Sequence, residues 1–171
     1  MNGLNDQSIL DVRQLITGKD GQLFVSSRAG VNIFLAEADT FSAQLNPKNT
    51  DYQPVGSALE FAVNTGYNMT LSLTEAVIRD DVMVEEFIRD VQSGYFPGFD
   101  FQGKLRRRDG QAQRILYRWC VPDGSVDLQN LTPGEIVKRA WSFRCNAPPE
   151  MLEMFKGISG LQSDIYRNTY E

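Results

Sequence analysis

Residues 101–119, FQGKLRRRDGQAQRILYRW, are the stretch of this chain best equipped for chemistry. Lys104, Arg106, Arg107, Arg108, Arg114 and Arg118 alternate with Tyr117 and Trp119, and Asp109 is the lone acid among them. Cations displace counterions from a phosphate backbone and flat rings stack on bases, so these residue types suit single-stranded nucleic acid held by a β-barrel module. That reading expects a basic domain. The chain instead holds 17 Lys and Arg against 22 Asp and Glu, a formal charge of -5, with a pI near 4.8. The competing reading is an outward or interface hairpin whose arginines meet carboxylates such as Glu85, Glu86 and Asp90 of another element.

Other chemistries lack their groups. With no histidine, the common general base, the commonest metal ligand and the usual nucleophile pairs are missing. Cys120 and Cys145 stand in strand-like segments without metal-ligand spacing, and they read as reduced residues of the core or wall. No nucleophile elbow, Walker loop or dinucleotide glycine fingerprint occurs. The expectation is a protein that is not an enzyme and carries no cofactor or metal. No apolar run reaches the ~20 residues that span a bilayer, and the first residues lack the pattern of a secretory signal, so no membrane partner is expected.

The elements that must position these residues are mostly strands. At 171 residues and 42% hydrophobic the chain suits one folded domain. A helical arm is expected around residues 8–16, within an N-terminal arm of 1–16. TGKDGQLFV (17–25) and VNIFLAEA (31–38) read as strands, and DTFSAQL (39–45) alternates with Phe41, Ala43 and Leu45 on one side. NPKNTDYQPVG (46–56) is polar and proline-broken, which predicts a long loop. SALEFAV (57–63), an Asn-Thr-Gly turn at 64–66 and NMTLSLTEAVI (68–78) read as a hairpin. In DDVMVEEFIRDVQSG (80–94), Val84, Phe87, Ile88 and Val91 recur at helical spacing, with Asp80 and Asp81 as caps and Gly94 as a stop.

Asp109-Gly110 predicts a second hairpin, so the arginine stretch becomes two paired strands. Strict alternation puts Ile115, Tyr117, Trp119 and Val121 on one face and Arg114, Leu116, Arg118 and Cys120 on the other. IVKRAWSFRCN (136–146) alternates as a closing strand, with Val137, Trp141, Phe143 and Cys145 on the apolar side and Arg139 interrupting. Residues 147–171 form an extension, helical or extended, with apolar side chains that need a dock. The fold class is mainly antiparallel β, a sandwich or partly closed barrel over 17–146 flanked by one α-helix.

The order of these pieces resembles the tail tube proteins of contractile-tailed bacteriophages, a superfamily that includes contractile bacteriocin and type VI secretion tubes. The resemblance is carried by Gly18-Lys19-Asp20-Gly21-Gln22-Leu23-Phe24-Val25, by AEADTFSAQLNPKN (36–49), by TGYNMTLSLTEAVI (65–78) with the acidic helix after it, and by the closing strands over 115–149. It implies a structural virion protein: homo-hexameric rings stacked into a tail tube, with genomic DNA passing through the lumen unbound. The tube of a bacteriocin or secretion machine is the alternative within the same superfamily. Sheath, baseplate hub and tail terminator proteins would be partners, and the subunit would assemble in the host cytoplasm and reside in the virion tail.

On that reading Thr40, Ser42, Gln44, Thr70, Ser72 and Thr74 line the channel. Pro47, Lys48, Asn49, Asp51, Tyr52 and Gln53 of the loop, with Met151, Met154 and Phe155 of the extension, make contacts between subunits or rings. Arg106, Arg107, Arg108, Arg114 and Arg118 face outward or into an interface, because a cationic bore would hold a sliding polyanion.

Overall fold

The computed structural model describes residues 15–26, 32–34, 38–76, 80–81, 83–108, 110–129 and 131–156. The expected helical arm lies outside these residues except for Leu15 and Ile16, and so does the extension beyond Lys156. The first element of the described residues is a 3-10 turn, Gly18–Asp20, in which the Asp20 carboxylate accepts from Thr17 N at 3.1 Å and Thr17 Oγ1 at 2.8 Å. Eight strands follow: β1 (Gly21–Ser26), β2 (Asn32–Phe34), β3 (Ala38–Tyr52), β4 (Phe61–Glu75), β5 (Phe99–Arg106), β6 (Ala112–Pro122), β7 (Arg139–Cys145) and β8 (Glu150–Glu153). One helix, α1 (Val84–Gln92), lies between β4 and β5.

All described pairings are antiparallel, in the order β2-β1-β5-β6-β7-β4-β3, and β8 pairs with β6 beside β7. The sheet folds over as a sandwich without closing into a barrel, since no pairing joins β2 to β3 among the described residues. Its core is aromatic. Phe101 and Phe143 approach to 4.9 Å between ring centroids, Trp141 stacks on Phe143 at 5.7 Å, and Phe87 of α1 meets Trp141 edge-on at 6.0 Å. Each such buried side chain contributes about 1.5–3 kcal/mol of transfer free energy. Phe41 reaches across to Tyr117, with centroids 6.1 Å apart. A Cβ on Gly103 would lie 3.4 Å from the Phe41 ring, so the bare backbone there lets β5 pass under it.

Helix α1 ends as its sequence predicts. Gly94 adopts φ +83°, and Tyr95 N donates to Asp90 O at 2.8 Å while Gly94 N donates to Val91 O at 3.1 Å, a Schellman closure. Its start differs from expectation. Met83 occupies the cap position with no side-chain bond, and the Asp80 carboxylate is drawn 2.9 Å from Arg139 Nη1 instead of capping. Arg139, 5% exposed, also donates to Leu128 O at 3.1 Å and lies directly across from the buried Glu75. A guanidinium in the apolar row of β7 thus ties the residues ahead of α1 to the segment before β7.

Three further expectations are corrected by strand pairing. Residues 46–52 are not loop but the continuation of β3, paired from Asn46↔Asn68 to Tyr52↔Phe61. β3 is an edge strand, where Pro47 forfeits no ladder bond. Asn-Thr-Gly 64–66 is not a turn either. The register passes from Lys48↔Gly66 to Asn49↔Asn64, so Thr65 is the extra residue of a β-bulge, and the true turn is at 53–60. A second bulge opposes Asp100 with both Arg118 and Trp119, because Phe101 pairs Tyr117 and Phe99 pairs Cys120. Alternation slips there, so Cys120 joins Tyr117 in the core while Trp119, at φ 54°, is 67% exposed.

Arg139→Met is expected to lower unfolding stability by about 2 kcal/mol in a urea titration, the cost of losing the hydrogen bonds that the buried guanidinium makes to Asp80 and to Leu128 O. A change under ~0.5 kcal/mol would show that the guanidinium is dispensable.

Candidate assembly surfaces

Three surfaces collect the residues singled out in the sequence. The first is the outer face of β3, β4 and β7. Register places Thr40 against Thr74, Ser42 against Ser72 and Gln44 against Thr70, so all six expected side chains share one face. Ser72 continues to Ser142, Thr74 to Ala140 and Thr70 to Arg144. Asn46 extends the row, donating to Asn68 Oδ1 at 3.1 Å and Thr70 Oγ1 at 3.3 Å. The opposite face of the same ladder holds Phe41, Leu73 and Trp141, then Ala43, Leu71 and Phe143. The exposed face is hydroxyl- and amide-rich, and its rim cations are neutralised. Lys138 Nζ lies 2.8 Å from Asp39, and Arg144 Nε lies 3.8 Å from Asp123. The alternation of the closing strand already carried Ser142 and Arg144; joining them to this face required the β4–β7 register.

The second surface is the projecting hairpin. β4 pairs β7 only from Thr70 to Glu75, so residues 61–69 pair with β3 alone. At about 3.3 Å per residue this arm is roughly 30 Å long. The Thr65 bulge is stitched by Thr65 Oγ1 to Lys48 O at 3.2 Å and Asn64 Nδ2 to Asn49 Oδ1 at 3.2 Å. It slips β4 by one, which brings Phe61 and Val63 to the side of Tyr52 and Thr50. Tyr52, Phe61 and Val63 are 60%, 47% and 50% exposed, an apolar cluster displayed near the tip. Pro47, Lys48, Asn49, Asp51 and Gln53 are likewise exposed on the arm and its turn. The turn is held by Gln53 Nε2 to Ser57 O at 3.0 Å and by Gly56 at φ +85°.

The third surface is the arginine ribbon. Within the subunit Glu85 pairs with Arg89 of α1. The ribbon clamps the C-terminal extension of its own chain. Arg118 lies 3.2 Å from Glu150 and Arg114 3.6 Å from Glu153, both acids on β8. Arg107 stands over the Phe155 ring at 4.3 Å and donates to Lys156 O at 3.2 Å and Gln111 Oε1 at 2.9 Å. Arg106 and Arg108 remain exposed at the hairpin tip. Phe155 is therefore held within its own chain, whereas Met151 and Met154 present half their surface to solvent.

The base-stacking platform is also absent as imagined. Tyr117 is buried against Phe41, and burial raises its phenol above its ordinary pKa, so it does not join Trp119 at the surface. Among the described residues no group of three or more His, Cys, Asp or Glu is placed to hold a metal ion, and no helix is long and apolar enough to cross a membrane.

No protein-family model and no curated protein matches the chain. Solved structures do match in shape. A chain of the anti-feeding prophage tube-terminating cap superposes with a TM-score of 0.62 at 12% identity, covering 89% of this chain and 100% of its own. The fold is shared with components of such particles. A chain of the sheath-tube complex of an extracellular contractile injection system gives 0.59 at 13% identity, covering 84% and 95%. A tail chain of a gene transfer agent particle, refined with C6 symmetry, gives 0.56 at 14% identity, covering 79% and 97%.

Half-exposed ion pairs contribute at most ~1 kcal/mol each, so β8 is a weakly held strand. In Glu150→Gln/Glu153→Gln, hydrogen exchange of the β8 amides is expected to quicken about fivefold, with core amides of β4 and β7 unaffected. Unchanged β8 exchange would show that pairing with β6 alone retains it.

Proposed function

We propose that this chain is a tube subunit of a contractile injection system, with six copies closing into a ring around the β3–β4–β7 hydroxyl face and rings stacking through the hairpin arm. One observation carries the reading: a hydroxyl-rich, solvent-facing sheet face, whose cations Lys138 and Arg144 are ion-paired, and a projecting hairpin with an apolar tip belong to the same sheet, on the fold shared with injection machines. A bore must pass cargo without holding it. Thr40, Ser42, Gln44, Thr70, Ser72 and Thr74 offer short hydroxyls and amides to water and no charge to a passing polymer. The subunit's formal -5 makes a ring anionic, which repels nucleic acid in general. The role is structural, and no catalytic step is assigned to it.

The arm supplies the contact that a stack needs. Tyr52, Phe61 and Val63 at the end of a roughly 30 Å lever have nothing of their own subunit to bury them, and aromatic anchors of this kind dominate protein interfaces. A second copy is the partner that repeats along a tube. Met151 and Met154 belong to the same class of contact, at the other strand edge. Sheath, baseplate and terminator proteins are the expected neighbours outside the ring and at its ends.

The similarity to a gene transfer agent tail favours a second reading, in which the bore passes genomic DNA from a phage-like virion tail. Both readings use the same lumen and the same stacking.

Negative-stain microscopy of the purified chain is expected to show rings or tubes about a central hole. Tyr52→Ser/Phe61→Ser should leave the melting temperature within about 2 °C of wild type, since neither side chain is buried in the subunit, and should abolish tubes. Long tubes from that variant would remove the arm from the stacking contact. A bore test follows from charge: assembled Ser42→Lys/Ser72→Lys tubes should retain oligonucleotide with a steep salt dependence that wild-type tubes lack. Retention unchanged by the lysines would place this face outside the channel.

A further inference from the structure

The seam between the two parts of the sheet carries a pair of thiols that the assembly surfaces do not use. Among the described residues, strands β2-β1-β5-β6 meet β7-β4-β3 along a short run from Trp119 and Asn146 to Asp123 and Ser142, with Cys120↔Cys145, Val121↔Arg144 and Pro122↔Phe143 at its centre. Pro122 brings no N–H to this junction. Cys120 is wholly buried and Cys145 is 8% exposed, and both are free thiols.

Backbone bonds around them fix the kind of pair they form. Asn146 N donates to Trp119 O at 3.0 Å on one side, and Asp123 N donates to Ser142 O at 2.9 Å on the other. In an antiparallel ladder hydrogen-bonded pairs alternate with unbonded ones, so pairs 119/146, 121/144 and 123/142 are bonded and Cys120/Cys145 is not. Unbonded pairs bring their Cα atoms to about 4.5 Å with side chains drawn together. That is within the ~4.4–6.8 Å that a disulfide spans. The Cys120 Sγ donates to Arg118 O at 3.9 Å, and the two neighbouring thiols shift each other's ionisation in opposite directions.

We propose that Cys120 and Cys145 are a disulfide-forming site, oxidised by a small-molecule disulfide such as oxidised glutathione to a cross-strand cystine that staples β6 to β7. Cys145 acts first. It is the more accessible of the two, and its interaction with the neighbouring Cys120 thiol holds its pKa below the ordinary thiol value. Its thiolate attacks one sulfur of the oxidant and expels a glutathione thiolate, leaving a mixed disulfide. Cys120, whose own pKa is raised by its interaction with Cys145 and by burial, is freed to ionise once its partner is capped. It then attacks the Cys145 sulfur and expels the second glutathione. One external disulfide is reduced to two thiols, the two protein thiols become one disulfide, and their two protons go to the departing thiolates.

The bond would close the loop from 120 to 145 and lock the narrowest junction of the sheet. A tube that leaves a reducing interior for an oxidising medium would thereby stiffen each subunit with no change of shape, because the ladder already holds the two residues at bonding separation.

The test uses the full chain, purified reduced, incubated with oxidised glutathione at a urea concentration below the unfolding transition, then unfolded in N-ethylmaleimide for intact-mass measurement. The expected product is monomeric, takes up no maleimide and regains both thiols on treatment with dithiothreitol. Its melting temperature should rise by roughly 5–10 °C, the usual disulfide contribution on a chain of this size. Cys120→Ser is expected to stop at a single stable glutathione adduct on Cys145. Uptake of two maleimides after oxidation, or disulfide-linked dimers on a non-reducing gel, would overturn the assignment.

Discussion

Leu71 lies across from Phe143 and Leu73 across from Trp141, while the residues between them, Thr70, Ser72 and Thr74, lie across from Arg144, Ser142 and Ala140. The period of two in a strand makes these statements one constraint: packing the aromatic row against β5, β6 and α1 forces the hydroxyl row outward. A slip of one residue would bury the hydroxyls and expose the rings. The core therefore sets the chemistry of the outer face, and a surface with no fold of its own to maintain it is held at low cost by side chains it never touches.

The arm uses the same ladder past the point where a core exists. Beyond Thr70, β3 and β4 have only each other, and their backbone bonds are satisfied within the hairpin. What they cannot satisfy is apolar area, and Tyr52, Phe61 and Val63 remain in water in the lone subunit. The Thr65 bulge decides which side of the ribbon carries them. Without the extra residue, Phe61 and Val63 would continue the row of Tyr67 and Met69; with it they turn to the opposite side. Bulges re-aim side chains in this way wherever one strand gains a residue.

Charge has a comparable division of labour. Arg139 is the single guanidinium in the buried row of β7, and it binds Asp80 and the Leu128 carbonyl from within. The ribbon arginines do lighter work at half-exposed positions, retaining β8 through Glu150 and Glu153 and the end of the described chain through Phe155. An acidic protein thus spends its densest basic stretch on its own C-terminal strand. The strand it holds is only four residues long, and each of its side chains is about half exposed.

Local pattern determined a good deal of this molecule. The alternation in 39–45, 68–75 and 139–145 named the two faces of the ladder down to single residues, the spacing of Val84 and Phe87 named the helix, and Gly94 named its end. Asp-Gly correctly announced the β5–β6 hairpin. These signals survive because each depends on neighbours within a few residues. Tertiary pairing decided the rest. Asn-Thr-Gly has the composition of a turn, and only the presence of 46–52 as a partner strand makes it a bulge. Pro47 reads as a strand breaker, and only an edge position with no further strand to serve makes it harmless. Trp119 and Cys120 exchange faces because β6 carries one residue more than β5 between two fixed pairs, a mismatch that no single strand records. Partners of the arginines were unreadable for the same physical reason: an ion pair depends on where two distant segments are brought together, and a lone strand specifies only which way its side chains point.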